Sequence, residues 1–299
     1  MSRVPQHPVQ AFAVALVAIG ILSVMDAVMK SLVIGIGIFA VSIWRTLVNL
    51  GLISALYLPR RPPTPSPALL KLHVLRGVVV TVMALLFFWG LGRVPLAQAI
   101  ALTFIAPLIA LLLAALFLHE QIGRRSIAGS LLAFAGVITI VVGQARAELG
   151  PGVLIGTVAI VASALCYAGN IVLMRHQSLA AEPIEINFYQ SLTVSVLWFA
   201  VVPFLGMPAW PTGWWPWIII AALMSTSGGL LLSWAYARAE ASYLAVTEYS
   251  AFIWAATLGW AIFHEPLSAY TLGGALLIVG GCLLAAKRDP APPEIEVAA

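Results

Sequence analysis

Charge is scarce in this 299-residue chain: 9% of its residues are Asp, Glu, Lys or Arg, against 62% hydrophobic. Too little polar surface remains to clothe a water-soluble globule, so the chain belongs in a lipid bilayer. Its mean hydropathy of +1.04 agrees. Cysteine is scarcer still, with 2 residues. Cys166 and Cys282 both lie within apolar runs, with no CxxC and no His/Cys cluster beside them, which indicates neither a disulfide framework nor a metal site. The net charge of +4 comes from 15 Lys and Arg spread singly or in pairs between apolar runs. They form no basic face, so nucleic acid is not the expected partner. A Walker lysine motif is missing, as is a converging nucleophile and base; no cofactor is expected and an embedded enzyme is disfavoured.

What is present is a series of long apolar runs. About 20 such residues cross about 30 Å of hydrocarbon. That length divides the sequence into spans at 10–33, 39–58, 72–92, 95–117, 125–145, 152–174, 186–206, 214–236, 241–263 and 267–287. The expectation is an all-α polytopic membrane protein of ten helices. The first run, after Arg3, is long enough to span and reads as a helix and not as a cleaved leader. Connections are short. PRRPPTPSPALLK after Leu58 is proline-rich and basic, while AWPTGWWPW around Trp210 is uncharged, with four tryptophans suited to a headgroup belt. With the N-terminus inside, Arg3, Arg60, Arg61, Lys71, Arg76, Arg124, Arg125, Arg175, Arg238, Lys287 and Arg288 fall on the inner side. Lys30, Arg45, Arg93 and Arg146 remain for the outer half. This asymmetry predicts an inner-membrane protein with both termini in the cytoplasm.

The chain also repeats itself. A gapless shift of 145 residues brings Trp89 onto Trp234, Arg93 onto Arg238, His119 onto His264, Glu120 onto Glu265, Gly129 onto Gly274 and Gly136 onto Gly281. Lys30 then meets Arg175 and Arg45 meets Gln190, while a one-residue slip sets Asp26 on Asn170. Helices 1 to 5 therefore recur as 6 to 10. Because five is odd, the second copy enters from the opposite side, which makes an inverted repeat. The expected units are 1–148 and 149–288, followed by a cytoplasmic tail at 289–299.

Arg45 in helix 2, Arg76-Gly77 opening helix 3, the run RVPLAQAIALTFIAPLIALLLAALFLHE from Arg93 to Glu120, and Gly129 with Gly136 resemble the EamA-type branch of the drug/metabolite transporter superfamily. The resemblance covers essentially the whole chain. It implies a central cavity lined mainly by helices 3, 4, 8 and 9, with contributions from 1, 2, 6 and 7, and with helices 5 and 10 at the periphery. It also implies transport of a small organic solute across the bilayer. Relatives of this kind export amino acids and amino-acid-derived products, including metallophores, and a few take up nucleoside-like or vitamin solutes. Export is the leading expectation.

Candidate residues are those polar groups that lie inside spans, where they are expensive to keep. The repeated His-Glu is not zinc chemistry, since EQIG and EPLS lack the second histidine of HExxH. Each pair sits at a helix junction, where Glu120 or Glu265 is expected to approach the amides opening helix 5 or 10. Asp26 and Arg45 lie at matching depths, about 10 Å below the outer surface, and are expected to pair, with Lys30 sharing the carboxylate. Asn170 and Gln190 are their neutral counterparts. Glu248 in helix 9, with Tyr249 beside it, is the other intramembrane acid and is able to carry a proton. A tyrosine such as Tyr243, or Arg238, is its expected partner. Thr103 is its repeat mate in helix 4, and Pro107 leaves the Thr103 carbonyl without its helical donor. Each charged site has two readings, helix packing or contact with solute or proton. Trp89 and Trp234, with Trp44, Tyr236 and Trp254, are candidates to line a cavity. A passive channel or a scaffold subunit is the alternative to a transporter.

Overall fold

The computed structural model describes residues 8–60, 63–106, 109, 124–146, 151–236, 238, 244 and 247–286. Ten α-helices are described among them: α1 (Pro8–Ile36), α2 (Ile38–Tyr57), α3 (Pro67–Leu91), α4 (Leu96–Thr103), α5 (Arg124–Arg146), α6 (Pro151–Ala180), α7 (Pro183–Leu205), α8 (Trp215–Tyr236), α9 (Ser250–Phe263) and α10 (Ala269–Ala286). Six of them, α1, α2, α3, α6, α7 and α8, are long and apolar enough to cross a membrane. Their outward faces carry large apolar side chains, such as Phe204 at 86% and Trp260 of α9 at 69% exposure, as lipid contact requires.

Local chemistry sets the boundaries. Gly37 turns α1 into α2 with one residue because its φ of 79° lies where side chains are disfavoured. Its N–H closes α1 on the Val33 carbonyl, and its own carbonyl accepts from Val41 to open α2. Ser66 caps α3 by accepting from the Leu69 N–H, with Pro67 at the first helical position. Helix 3 thus starts five residues before the expected 72, and helix 6 runs six beyond the expected 174, to Ala180.

The helices pack as an inverted repeat demands. Exchanging α1–α5 with α6–α10 turns the contact α3–α6 into α8–α1, α3–α7 into α8–α2, and α1–α9 into α6–α4, and all six contacts exist. The pairs α2–α7, α4–α9 and α5–α10 map onto themselves and so straddle the pseudo-axis. In α5–α10 the repeated glycines meet: a Cβ on Gly136 would stand 2.6 Å from the Gly274 carbonyl oxygen, and Gly281 abuts Gly129 in the same way.

The helix expected at 95–117 is not one regular piece. Regular α-helix ends at Thr103, and the next amides, of Phe104 and Ile105, bond three residues back, to Ala101 and Leu102. A matching irregularity falls at Tyr249 just before α9, where Phe252 donates to the Tyr249 carbonyl. Phe104 and Tyr249 are repeat mates at a shift of 145. Their rings meet edge to face at 5.3 Å, so both breaks lie at the pseudo-axis. Pro107, His119, Glu120 and Tyr243, and the tail at 289–299, lie outside the described residues.

Candidate functional site

Two polar centres flank this axis. The face at which α1 begins is the near face here and its opposite the far face. Arg45 lies seven residues into α2 and Asp26 ten before the end of α1, roughly 10 and 15 Å from the far ends of their helices. Both are half-buried. Their charges act on each other, yet no Arg45 nitrogen comes within 4.0 Å of the carboxylate, so the expected ion pair does not form. The guanidinium instead lies 5.4 Å from the centre of the Phe88 ring on α3. Its Nε is buried and has no hydrogen-bond partner. A buried donor left so costs about 1–3 kcal/mol.

Lys30 does not share the Asp26 carboxylate. One turn further along α1 it faces another way, donating to the Val94 carbonyl at 2.7 Å and forming an ion pair with Glu265. Glu265 also departs from expectation. It approaches the start of α4 and not of α10, its Oε2 accepting from the Leu96 N–H at 2.7 Å. The cause lies in the α9 terminus: His264 adopts a left-handed φ of 54° and the Glu265 N–H folds back to Gly259, turning the carboxylate across the axis. Pro95, the N-cap of α4, makes no side-chain cap, so the Leu96 amide takes its acceptor from the other repeat.

The second centre is Glu248. Its Oε1 accepts from the Tyr236 hydroxyl at 2.7 Å and from Tyr167 at 3.5 Å, so α6, α8 and the approach to α9 converge on one carboxyl. Arg238 is not its partner, since it donates to the Trp234 carbonyl at 3.2 Å. Thr103 turns its hydroxyl to Ile100, at 2.7 Å, so it is the ring pair Phe104–Tyr249 that meets across the axis. Asn170 does not bond Gln190 either: its Oδ1 accepts from Arg76 Nε at 2.9 Å, while Gln190 sits half-buried on α7.

Trp89 and Trp234 share a different fate. Arg93 lies 3.6 Å from the Trp89 ring centre and Arg238 4.0 Å from that of Trp234, each arginine also donating to the carbonyl of its own tryptophan. These exposed arginines draw the two rings to helix ends at opposite faces. Of the four tryptophans after α7, Trp210 is 65% and Trp217 52% exposed, whereas Trp215 packs on Trp44, with ring centres 5.5 Å apart. Ser225 and Thr226 of α8 bind Asn49 of α2 at 3.2 and 3.3 Å, and Gly228 packs on Leu22 of α1, so that polar stretch joins helices.

Sequence reasoning missed a third set on the near side, in which Arg76 and His73 of α3 bond Asn170 and Gln177 of α6 and Glu185 of α7. The signal was Tyr167, Asn170 and Gln177 at helical spacing on one face. It was lost because Gln177 falls beyond the expected end of helix 6.

The ten described helices, in two exchanged halves with irregularities after Thr103 and at Tyr249 and polar groups beside them, fit a secondary transporter. Matches to the EamA-like transporter family cover residues 10–142 and 154–287, once for each half. The chain belongs to that family, and it is a multi-pass membrane transporter of small molecules and not an enzyme. It is 28% identical over 214 residues to the pseudopaline exporter CntI of Pseudomonas aeruginosa strain PAO1, covering 70% of this chain and 72% of that one. It is 23% identical over 223 residues to a riboflavin transporter of Brucella anthropi, covering 73% of this chain and 77% of that one. A solved crystal structure shares its fold at a TM-score of 0.62 and 21% identity, over 92% of this chain and 96% of the other.

Proposed function

We propose that the chain exports a zwitterionic metabolite, an amino acid or an amino-acid-derived compound, across the inner membrane, with both termini in the cytoplasm. The observation that carries this reading is the separation of Asp26 from Arg45. Two opposite charges sit deep in neighbouring spans without an ion pair, and the guanidinium keeps one buried N–H unused. An ammonium group suits the Asp26 carboxylate, and a carboxylate suits the planar guanidinium held against Phe88. A solute bearing both groups gives each side chain the close partner it lacks. Glu248, with its two tyrosines, is the group that exchanges a proton during the cycle. The half-buried Tyr249, backed at the axis by the buried Phe104, offers apolar contact for the rest of the solute. The likeness to an exporter of pseudopaline supports the outward direction.

Uptake of a flat, vitamin-like solute is the second reading. The likeness to a riboflavin transporter and the aromatic pair on the axis favour it. Comparison of medium and cell metabolites with and without the gene tests both. Export predicts a compound with amino and carboxylate groups that is depleted in the medium and retained in the cells of the deletion strain. A compound that the deletion strain fails to take from the medium reverses the direction.

A further inference from the structure

The near-side cluster belongs to neither centre described above. His73 lies six residues into α3, about 9 Å along it. Its ring is buried, and its Nε2 lies 3.2 Å from Glu185 Oε1, in a carboxylate whose side chain keeps 19% of its surface accessible. On the other side of the ring Nδ1 is 2.9 Å from Gln177 Nε2. Gln177 Oε1 is in turn 2.9 Å from an Arg76 nitrogen, and Arg76 Nε donates to Asn170. The ionisable groups around the imidazole are Arg76 on its own helix and, on α7, Glu185 and Tyr189, whose ring stacks on it at 4.9 Å. Tyr57 of α2 stands edge-on to Tyr189.

The direction of every bond in this chain follows from one fact: a guanidinium only donates. Gln177 must therefore present its oxygen to Arg76, which leaves its NH2 facing His73. Nδ1 must then be a bare acceptor. The single ring proton sits on Nε2 and is donated to Glu185. A second proton can enter the ring only at Nδ1, where it meets the Gln177 NH2, donor against donor. Gln177 must turn over, and its NH2 then faces Arg76, donor against donor again. Arg76 bonds Asn170, three residues along α6 from the tyrosine that reaches Glu248.

We propose that His73, paired with Glu185, is a second proton-binding site, open to the near face through Glu185 and reporting to Arg76 through the orientation of the Gln177 amide. Gln177 and Arg76 are positioning residues. The use of the site in transport rests on the proton-linked reading above, but proton binding itself is measured without any solute.

The test is nitrogen NMR of protein labelled with 15N at histidine and glutamine, in lipid bilayers, the His73 signals being those lost in His73→Gln and the Gln177 amide signal that lost in Gln177→Glu. At about pH 8 the ring should carry hydrogen on Nε2 alone, and by about pH 5 on both nitrogens, with the Gln177 side-chain amide shifting at the same midpoint. Gln177→Glu keeps the shape but accepts from both neighbours, so it removes the clash and should strengthen proton binding at His73 about tenfold or more. A ring carrying its hydrogen on Nδ1 at about pH 8 overturns the proposal. So does a ring that never gains a second proton, or a midpoint unmoved by Gln177→Glu. Export that persists unchanged in cells lacking the gene defeats the transport reading alone, and a failed His73 titration defeats this site alone.

Discussion

Arg45 shows what a single residue's position discloses and what it hides. Its depth in helix 2 was legible, because a charge seven residues inside an apolar run has few reasons to be there. Its partner was not. Whether two side chains at equal depth touch depends on the rotation of each helix about its own axis, and that is set by packing across the bundle, here against Phe88. The geometry gives a definite expectation for substitution. A purely structural ion pair would make Asp26→Asn with Arg45→Gln milder than either change alone. With the charges apart and serving solute, both single variants and the double should lose export alike, by about tenfold or more each, at unchanged protein level. Quantifying the exported compound in the medium checks this. Glu248 carries a separate expectation: Glu248→Gln, fixed in the neutral form, should abolish accumulation against a gradient yet allow one-for-one exchange of solute across the membrane. Unchanged accumulation in that variant reduces Glu248 to a packing residue held by Tyr236.

Among the elements, the spans and their repetition could be read directly, since hydropathy and the recurrent glycines fix where helices lie and which of them are mates. Their ends were less clear. Ser66 and Pro67 begin α3 inside a stretch that reads as loop, and this shift placed His73 and Arg76 a turn deeper than expected. The direction of Glu265 was hidden for another reason. It depends on a left-handed His264, a conformation that sequence does not announce at a non-glycine residue. Two predictions belong here. Gly136→Leu forces α5 from α10 and should cost about 1–3 kcal/mol, seen as a lower midpoint for thermal unfolding in detergent. Lys30→Met leaves the partly buried Glu265 without its cation and should cost about 3–5 kcal/mol, which Lys30→Met with Glu265→Gln should largely restore. Equal loss in the single and double variants would show that the ion pair does not hold α1 to the α4–α9 junction.

The whole molecule is two halves exchanged about an axis that passes between Phe104 and Tyr249, with unlike chemistry placed on like geometry: Asp26 and Arg45 in one half, Asn170 and Gln190 in the other. Such a frame suits alternate opening to two sides. In the proposed orientation, argued from the basic residues, the near face is cytoplasmic, so a reporter fused after Arg288 should read as cytoplasmic; a periplasmic signal would contradict the ten-span orientation. The most direct test of outward, energy-linked movement uses inverted membrane vesicles, in which an exporter draws solute inward. Vesicles holding the chain and given the compound found in the metabolite comparison should concentrate it above the external level. An uncoupler should abolish that excess, and Asp26→Asn vesicles should not develop it. Filling that stops at equal concentration, indifferent to the uncoupler and to Asp26→Asn, would contradict export and leave a passive pore.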